Sequence, residues 1–96
     1  MPRMTKKALT QMGKLLAVKQ TNRALTDREV VDQLNRIQDE EAHDGRVPEI
    51  APRTWQYWKH GQKEPWPRHL RVLATWTRVP VTALRRGDYT VKDDLD

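Results

Sequence analysis

Apolar residues recur every three or four positions along most of the chain, which is the spacing of helices that bury one face. Strand-like alternation is confined to short pieces near Val79 and Val91. The pattern therefore predicts an all-α domain. The first helix is expected from about Met4 to Asn22, and Gly13 should weaken it by about 1 kcal/mol relative to alanine. Its apolar positions are Leu9, Met12, Leu15, Leu16 and Val18.

The second predicted helix begins with a capping box, in which the Thr26 hydroxyl accepts the Glu29 N–H and the Glu29 carboxylate accepts the Thr26 N–H. Asp27 and Glu29 also suit the positive end of the helix dipole. We expect this helix to continue as far as Ala42, because the glycine and proline within 43–48 then end it. Its apolar positions are Val30, Val31, Leu34 and Ile37.

The third predicted helix is short, since Pro52 suits a first helical position and Gly61 a left-handed position just past the end. Ala51 would be a poor N-cap for it. Trp55 and Trp58 lie three residues apart on one side, which is expected to pack against the core. The other side, expected to be free, carries Arg53, Gln56, Tyr57 and His60.

Two further helices are predicted, one opening at Pro67 and the other running from about Val81 to Arg86. The segment 89–96 is expected to be either a short strand or disordered. Residues 1–90 would then form one domain, followed by an acidic tail at 91–96.

The composition limits the class of protein. A chain of 96 residues is one small domain that buries only about 60–65% of its unfolded surface, so a second copy or a partner would help to stabilise it. The absence of cysteine excludes disulfides and thiolate metal sites. With no apolar run of about 18 residues and no signal-peptide pattern, we expect no membrane span and a cytoplasmic location.

Charge is unevenly distributed along the chain. Residues 1–26 carry six bases and no acid, 27–49 carry eight acids and three bases, and 50–90 carry eight bases and two acids. Two basic blocks around an acidic one indicate a surface that faces a polyanion, with the acidic element held elsewhere. The alternative is that these charges merely solvate a small domain.

Two short helices, the first with a capping box and the second with polar side chains opposite an aromatic face, meet the physical requirements of a DNA-binding helix-turn-helix. An α-helix fits the major groove, where Arg53 would favour guanine and Gln56 adenine. Lys59, Lys63 and the bases of the first helix could neutralise phosphates. Such binding is expected to weaken as the salt concentration rises.

Three stretches resemble the lambda-repressor/Cro type of helix-turn-helix protein. Residues 25–34 look like the first half of the motif, with Val31 in its small buried position, and residues 50–61 resemble the second half. Residues 65–84 follow the next two helices of that family. The resemblance implies a compact five-helix lambda-repressor-like fold and a sequence-specific transcriptional regulator, in particular a repressor of the kind found in phages and mobile elements.

The resemblance also assigns roles by position. The base contacts it implies are Arg53, Gln56 and Tyr57, with Pro52 at the edge of contact. The phosphate contacts it implies are Thr26, Thr54, Lys59, His60, Gln62 and Lys63. It implies double-stranded DNA as the partner. We expect no metal or cofactor, and no small-molecule substrate is evident.

The chain departs from that family in one long feature and at two single positions. Between Asn35 and Glu49 it carries roughly a dozen additional residues with a net acidic charge, which must point away from DNA. Lys59 stands where the family has a glutamate, and Arg78 stands where it has a glycine after the fourth helix.

A helix of this length contacts only a few base pairs, so adequate specificity usually comes from two copies on half-sites about 10 bp apart or a multiple of that. We therefore expect a homodimer on a palindromic operator. The same apolar residues could form its interface or close the core of the monomer, and they are Val79, Val81, Leu84, Tyr89 and Val91.

Four tryptophans on a basic chain raise the question of base stacking, which would favour a binder of single-stranded DNA or RNA. Trp55, Trp58 and Trp76 occupy positions that helix packing would bury, and with no phenylalanine they must fill the core. Trp66, between two prolines, is left open, and Tyr57 lies between the two faces of its helix.

Other functions are less well supported by the residues. Asp39, Glu40, His43 and Asp44 could share a helical face, but no second histidine follows at metal-ligand spacing. The chain has no cysteine, no serine and no phosphate loop, so we expect no enzyme. A protein-binding antitoxin or adaptor that uses the acidic segment 39–49 is the main alternative to DNA binding.

Overall fold

The computed structural model describes residues 3–41 and 48–91. Within these ranges the chain forms five α-helices and no strand, which confirms the predicted all-α class. The helices are α1 (Lys6–Asn22), α2 (Asp27–Glu41), α3 (Pro52–Lys59), α4 (Pro67–Thr77) and α5 (Val81–Arg86). The predicted end of the second helix at Ala42 lies outside the described residues, as does the tail 92–96, and residues 89–91 have no regular structure.

Side-chain caps determine where the first two helices begin. Thr5 caps α1 by accepting the Ala8 N–H at 3.0 Å, so the helix begins two residues later than the predicted Met4. The predicted capping box of α2 is confirmed, with the Glu29 N–H 3.2 Å from the Thr26 hydroxyl and the Thr26 N–H 3.0 Å from the Glu29 carboxylate.

Tryptophan fills the centre of the core, as predicted. Trp55 is 0% exposed, and its ring meets the ring of Trp76 edge to face with centroids 5.5 Å apart. Trp58 is buried beside them, whereas Trp66 is 64% exposed and belongs to the surface. The buried apolar residues around these rings come from α1, α2, α4 and α5 and include Met12, Leu16, Val30, Leu34, Leu70, Leu73 and Leu84.

The backbones of α1 and α3 touch at Gly13. A Cβ atom there would overlap the carbonyl oxygen of Lys59, the last residue of α3. Gly61, with φ +65°, lies in turn against the carbonyl of Leu9 on α1. Gly13, which the sequence marks only as a weak point of the first helix, therefore allows the backbones of α1 and α3 to approach closely.

Within the described ranges, two non-glycine residues adopt a positive φ at helix ends. Arg78 caps α4 with φ 64°, and Ala24 follows α1 with φ 54°. Glycine is the usual residue in this conformation because it has no Cβ to clash with the carbonyl. Arg78 therefore holds a backbone geometry that is usual for glycine, at a cost in strain.

The chain returns alongside α2 after the segment 42–47. The Asn35 side chain accepts the Ile50 N–H at 2.7 Å and donates to the Ile50 carbonyl at 3.1 Å. At the N-terminal end of α2, the Asp27 side chain contacts Trp55 and Lys59 of α3. The start of α2 therefore lies beside the C-terminal half of α3, and one side of α3 faces α2.

The C-terminal apolar residues belong to the core of the monomer. Leu84 is fully buried, and Tyr89 is half-buried, with its carbonyl accepting the Gln11 side chain at 2.6 Å. The other three, Val79, Val81 and Val91, are partly buried against the same core. Of the two roles left open by the sequence, these contacts support closure of the core. Separately, none of the helices in the described ranges is long and apolar enough to span a membrane.

Candidate nucleic-acid interface

One side of α3 faces solvent. Arg53 and His60 are exposed and Tyr57 is partly exposed, at positions separated by four and three residues. We call these three residues the outer face of α3. The buried Trp55 and Trp58 lie on the opposite side of the helix, so the predicted division of α3 into a packed and a free side is confirmed for these residues.

The N-terminal end of α3 borders the outer face. Pro52 is exposed at the first helical position, and Thr54 is partly buried. Ala51 makes no side-chain cap, as predicted, because alanine has no acceptor to offer. The N-cap side chain therefore accepts no hydrogen bond from the backbone N–H groups of the first turn of α3.

The C-terminal end of α3 is closed by a Schellman motif. The Gln62 N–H donates to the Tyr57 carbonyl at 2.9 Å, and the Gly61 N–H donates to the Trp58 carbonyl at 3.1 Å. This turn brings the next residue back onto the helix, with Lys63 Nζ 4.3 Å from the centre of the Tyr57 ring. Gln62 and Lys63 are both exposed, so the turn adds a cation and an amide beside the outer face.

Asp27 is the centre of a network that sequence reasoning missed. Its carboxylate accepts from Lys59 Nζ at 2.8 Å, from Gln20 Nε2 at 2.9 Å, from Trp55 Nε1 at 3.1 Å and from the amide of Gln56. The hydrogen bonds from Lys59 and then Gln20 lower the pKa of the Asp27 carboxyl from 3.8 to about 2. In the sequence, Asp27 shows only as an acid suited to the start of a helix.

The structure differs from the sequence expectation at Lys59. Its ammonium lies between the Asp27 carboxylate and Gln20 Oε1, 5.7 Å from the Trp55 ring, and its side chain is only 17% exposed. The charge that was expected to contact phosphate is therefore balanced inside the protein. We do not include Lys59 among the cations available to a ligand.

Gln56 lies at the border between the outer face and α2. It is partly exposed, and its side-chain amide donates to Asp27. The sequence predicts that Gln56, like Arg53, lies on the free side of α3. In the structure its side chain is hydrogen-bonded to α2. No local pattern could show this contact, because Asp27 and Gln56 are 29 residues apart.

Thr26 lies at the exposed start of α2. Its hydroxyl oxygen accepts the Glu29 N–H, and that bond leaves the hydroxyl proton available for donation. Thr26 can therefore cap its helix and donate to an anion at the same time.

Trp66 forms a small aromatic surface at the start of α4. The Arg68 guanidinium lies 4.9 Å from its ring centre, and the His69 ring lies 6.4 Å away. Burial, reinforced by the charge of Arg68, lowers the pKa of His69 below its ordinary value and so favours the neutral ring. The sequence left the position of Trp66 open.

The described residues hold no group of three side chains able to bind a metal ion. Asp39 and Glu40 are exposed on α2, and the His43 and Asp44 of the suggested cluster lie outside the described residues. Beside the outer face, a cleft of about 300 Å³ runs between α1 and α3 and is lined in part by Lys14 and His60.

No family model, no curated protein and no solved structure matches this chain.

Proposed function

We propose that this protein is a sequence-specific transcriptional regulator, in particular a repressor, that binds double-stranded DNA with α3 in the major groove. The observation that carries the proposal is the exposed outer face, which includes the cation Arg53 and has a second cation, Lys63, beside Tyr57. The nearby acid, Asp27, is paired with Lys59 and so adds little net negative charge. A helix with such a face suits the groove in both shape and charge.

The fixed position of α3 supports the proposal. Two buried tryptophans hold one side, Gly13 brings the backbone of α1 against its last residue, and a Schellman turn closes its end. Side chains on a helix held in this way lose less conformational freedom on binding than side chains on a loop.

The proposed contacts divide into two kinds. Arg53 pairs with guanine through two hydrogen bonds, and Tyr57 and Gln56 contact neighbouring base edges, with Pro52 at the border. Phosphates are contacted by side chains around both ends of α3 and at the start of α2. These side chains are exposed or lie at the border of the outer face. These are Thr26, Thr54, His60, Gln62 and Lys63.

The proposal includes two copies on a palindromic operator, because one helix contacts too few base pairs for high specificity. The C-terminal apolar residues that the sequence suggests for their contact pack against the core of each copy, where Leu84 is fully buried and the others are partly buried. We propose that the two copies meet through another surface or are brought together by adjacent half-sites on the DNA.

Selection from a random pool of DNA duplexes tests this function. We expect an enriched palindromic consensus with half-sites about 10 bp apart or a multiple of that, bound more weakly as salt rises. The matched control is selection with Arg53→Ala, which should lose the preference at one base pair of each half-site. Equal affinity for selected and random duplexes, or no binding to duplex DNA, would contradict the proposal.

A further inference from the structure

The orientation of the Gln56 side chain is determined by Asp27. An ionised carboxylate can only accept hydrogen bonds, whereas a glutamine amide has a donor end and an acceptor end. The amide must therefore turn its NH₂ group towards Asp27, as it does in the structure. The opposite orientation would place the amide oxygen against a carboxylate oxygen, which is electrostatically unfavourable.

The carboxylate of Asp27 is itself held in place. Besides Gln56, it accepts hydrogen bonds from Lys59, Gln20 and Trp55, which come from α3 and α1. Its Oδ1 accepts from Lys59, Gln20 and Trp55, and its Oδ2 accepts from Gln56. Asp27 therefore cannot turn to follow the Gln56 amide without breaking other hydrogen bonds, and the amide orientation is locked.

The acceptor end of the amide remains available. Among the hydrogen bonds of the described residues, none is accepted by Gln56 Oε1, and this atom is not among the buried polar atoms that lack a partner. Since Gln56 is only partly buried, Oε1 is open to solvent. The border of the outer face of α3 therefore presents a hydrogen-bond acceptor of fixed direction.

We propose that Asp27 is a specificity-determining residue that holds Gln56 as an acceptor, so that Gln56 selects a base with an amino group in the major groove. This inference rests on the DNA binding proposed above. Adenine N6 and cytosine N4 are donors in that groove, whereas guanine and thymine present acceptor oxygens. A freely rotating glutamine could turn its NH₂ to either of those oxygens, and the locked amide cannot.

The test compares base preference in three variants by binding to duplexes from the selected pool. Gln56→Ala identifies the position that this side chain contacts. At that position the wild-type protein should favour adenine or cytosine over guanine or thymine by about tenfold or more. Asp27→Asn, which lets the amide turn over, should reduce this ratio towards one while the preference set by Arg53 remains. Asp32→Asn, the same change at an exposed position of α2, should keep the wild-type ratio.

Nuclear magnetic resonance of the free protein tests the lock without DNA. The chemical shift of the Gln56 side-chain amide proton that faces Asp27 should change as the Asp27 carboxyl is protonated towards pH 2. This titration uses the wild-type protein, so it tests the inference even if Asp27→Asn does not fold. In folded Asp27→Asn the resonance should move to the ordinary glutamine range. A Gln56 amide that responds to neither change, or a wild-type preference for guanine or thymine at its position, would overturn the inference. Absence of duplex binding would refute the proposed function. The Gln56 amide resonance would still show whether Asp27 fixes the orientation of that amide.

Discussion

The ammonium of Lys59 lies 2.8 Å from the carboxylate of Asp27, and this ion pair joins the last residue of α3 to the first residue of α2. Each residue sits at the helix end where its charge opposes the helix dipole, since acids suit N-termini and bases suit C-termini. The pair therefore stabilises both helices and also fixes their relative position.

This network predicts a specific dependence of stability on pH. Because the folded-state pKa of Asp27 is lowered to about 2 from 3.8, its contribution is fully present above pH 3.8 and is lost as the pH falls through 2. After discounting for solvent screening of a partly exposed side chain, we expect about 1 kcal/mol. The check is urea unfolding of wild type and Asp27→Asn at pH 6 and near pH 2, where the difference in unfolding free energy should shrink. Asp32→Asn is the control, and an Asp27→Asn difference that stays constant with pH would contradict the prediction.

Gly13→Ala should destabilise the protein. Alanine normally stabilises a helix relative to glycine by about 1 kcal/mol, but here its Cβ would overlap the Lys59 carbonyl oxygen and push α1 away from α3. We expect a net loss of about 1–3 kcal/mol in thermal or urea unfolding, the usual cost of overpacking. Ala17→Gly, at an exposed position of the same helix, reports the intrinsic helix propensity alone. A Gly13→Ala variant more stable than wild type would show that the two backbones are not in contact.

Arg78→Gly should stabilise the protein. With φ 64°, Arg78 holds a conformation that suits glycine, and removing its Cβ relieves strain worth about 1 kcal/mol. For a domain of this size that gain corresponds to a rise of about 4–8 °C in the melting temperature, measured by circular dichroism. Arg71→Gly, the same change at an exposed position inside α4, should instead lower the melting temperature. If both variants melt lower, the left-handed position is not strained.

Arg53→Ala should weaken binding to the selected operator by about 1–3 kcal/mol and relax the preference at one base pair per half-site. The reason is the loss of two hydrogen bonds to a single guanine. Fluorescence anisotropy with labelled duplexes measures both effects. Arg86→Ala removes an exposed arginine from α5 and should bind as wild type does. An equal loss on selected and random duplexes would mean that Arg53 contacts only phosphate.

Lys63→Ala should weaken binding to all duplexes alike. A phosphate contact carries no sequence information, and its loss should lower the magnitude of the slope of log affinity against log salt by about one. Lys63→Arg retains the charge and should retain the slope. The measurement is a salt titration of duplex binding for the three proteins, and an unchanged slope in Lys63→Ala would exclude Lys63 from the phosphate contacts.

Much of the helical structure was predictable because its signals are local. The Thr26–Glu29 capping box, Pro52 at the start of α3 and Gly61 just after it act within a few residues of one another. The burial of Trp55 and Trp58 followed from their spacing on one side of a helix.

The candidate site was predictable only in part. Arg53, Tyr57 and Lys63 lie on or beside an exposed face as their positions suggested, since helical spacing determines which side chains share a side. The hydrogen bonds of Lys59 and Gln56 to Asp27 could not be predicted, because Asp27 lies 32 and 29 residues earlier in the chain. Contacts at such separations leave no periodic pattern in the sequence.

Local signals in the sequence predicted the five helices and the side of α3 that is buried, because periodicity, capping and backbone restriction act between near neighbours. Packing between distant segments was needed to show that Gly13 brings two backbones together and that Asp27 binds side chains from α1 and α3. It also decided that the C-terminal apolar residues close the core. These features depend on which helix faces which, and that is settled by packing between residues far apart in the chain.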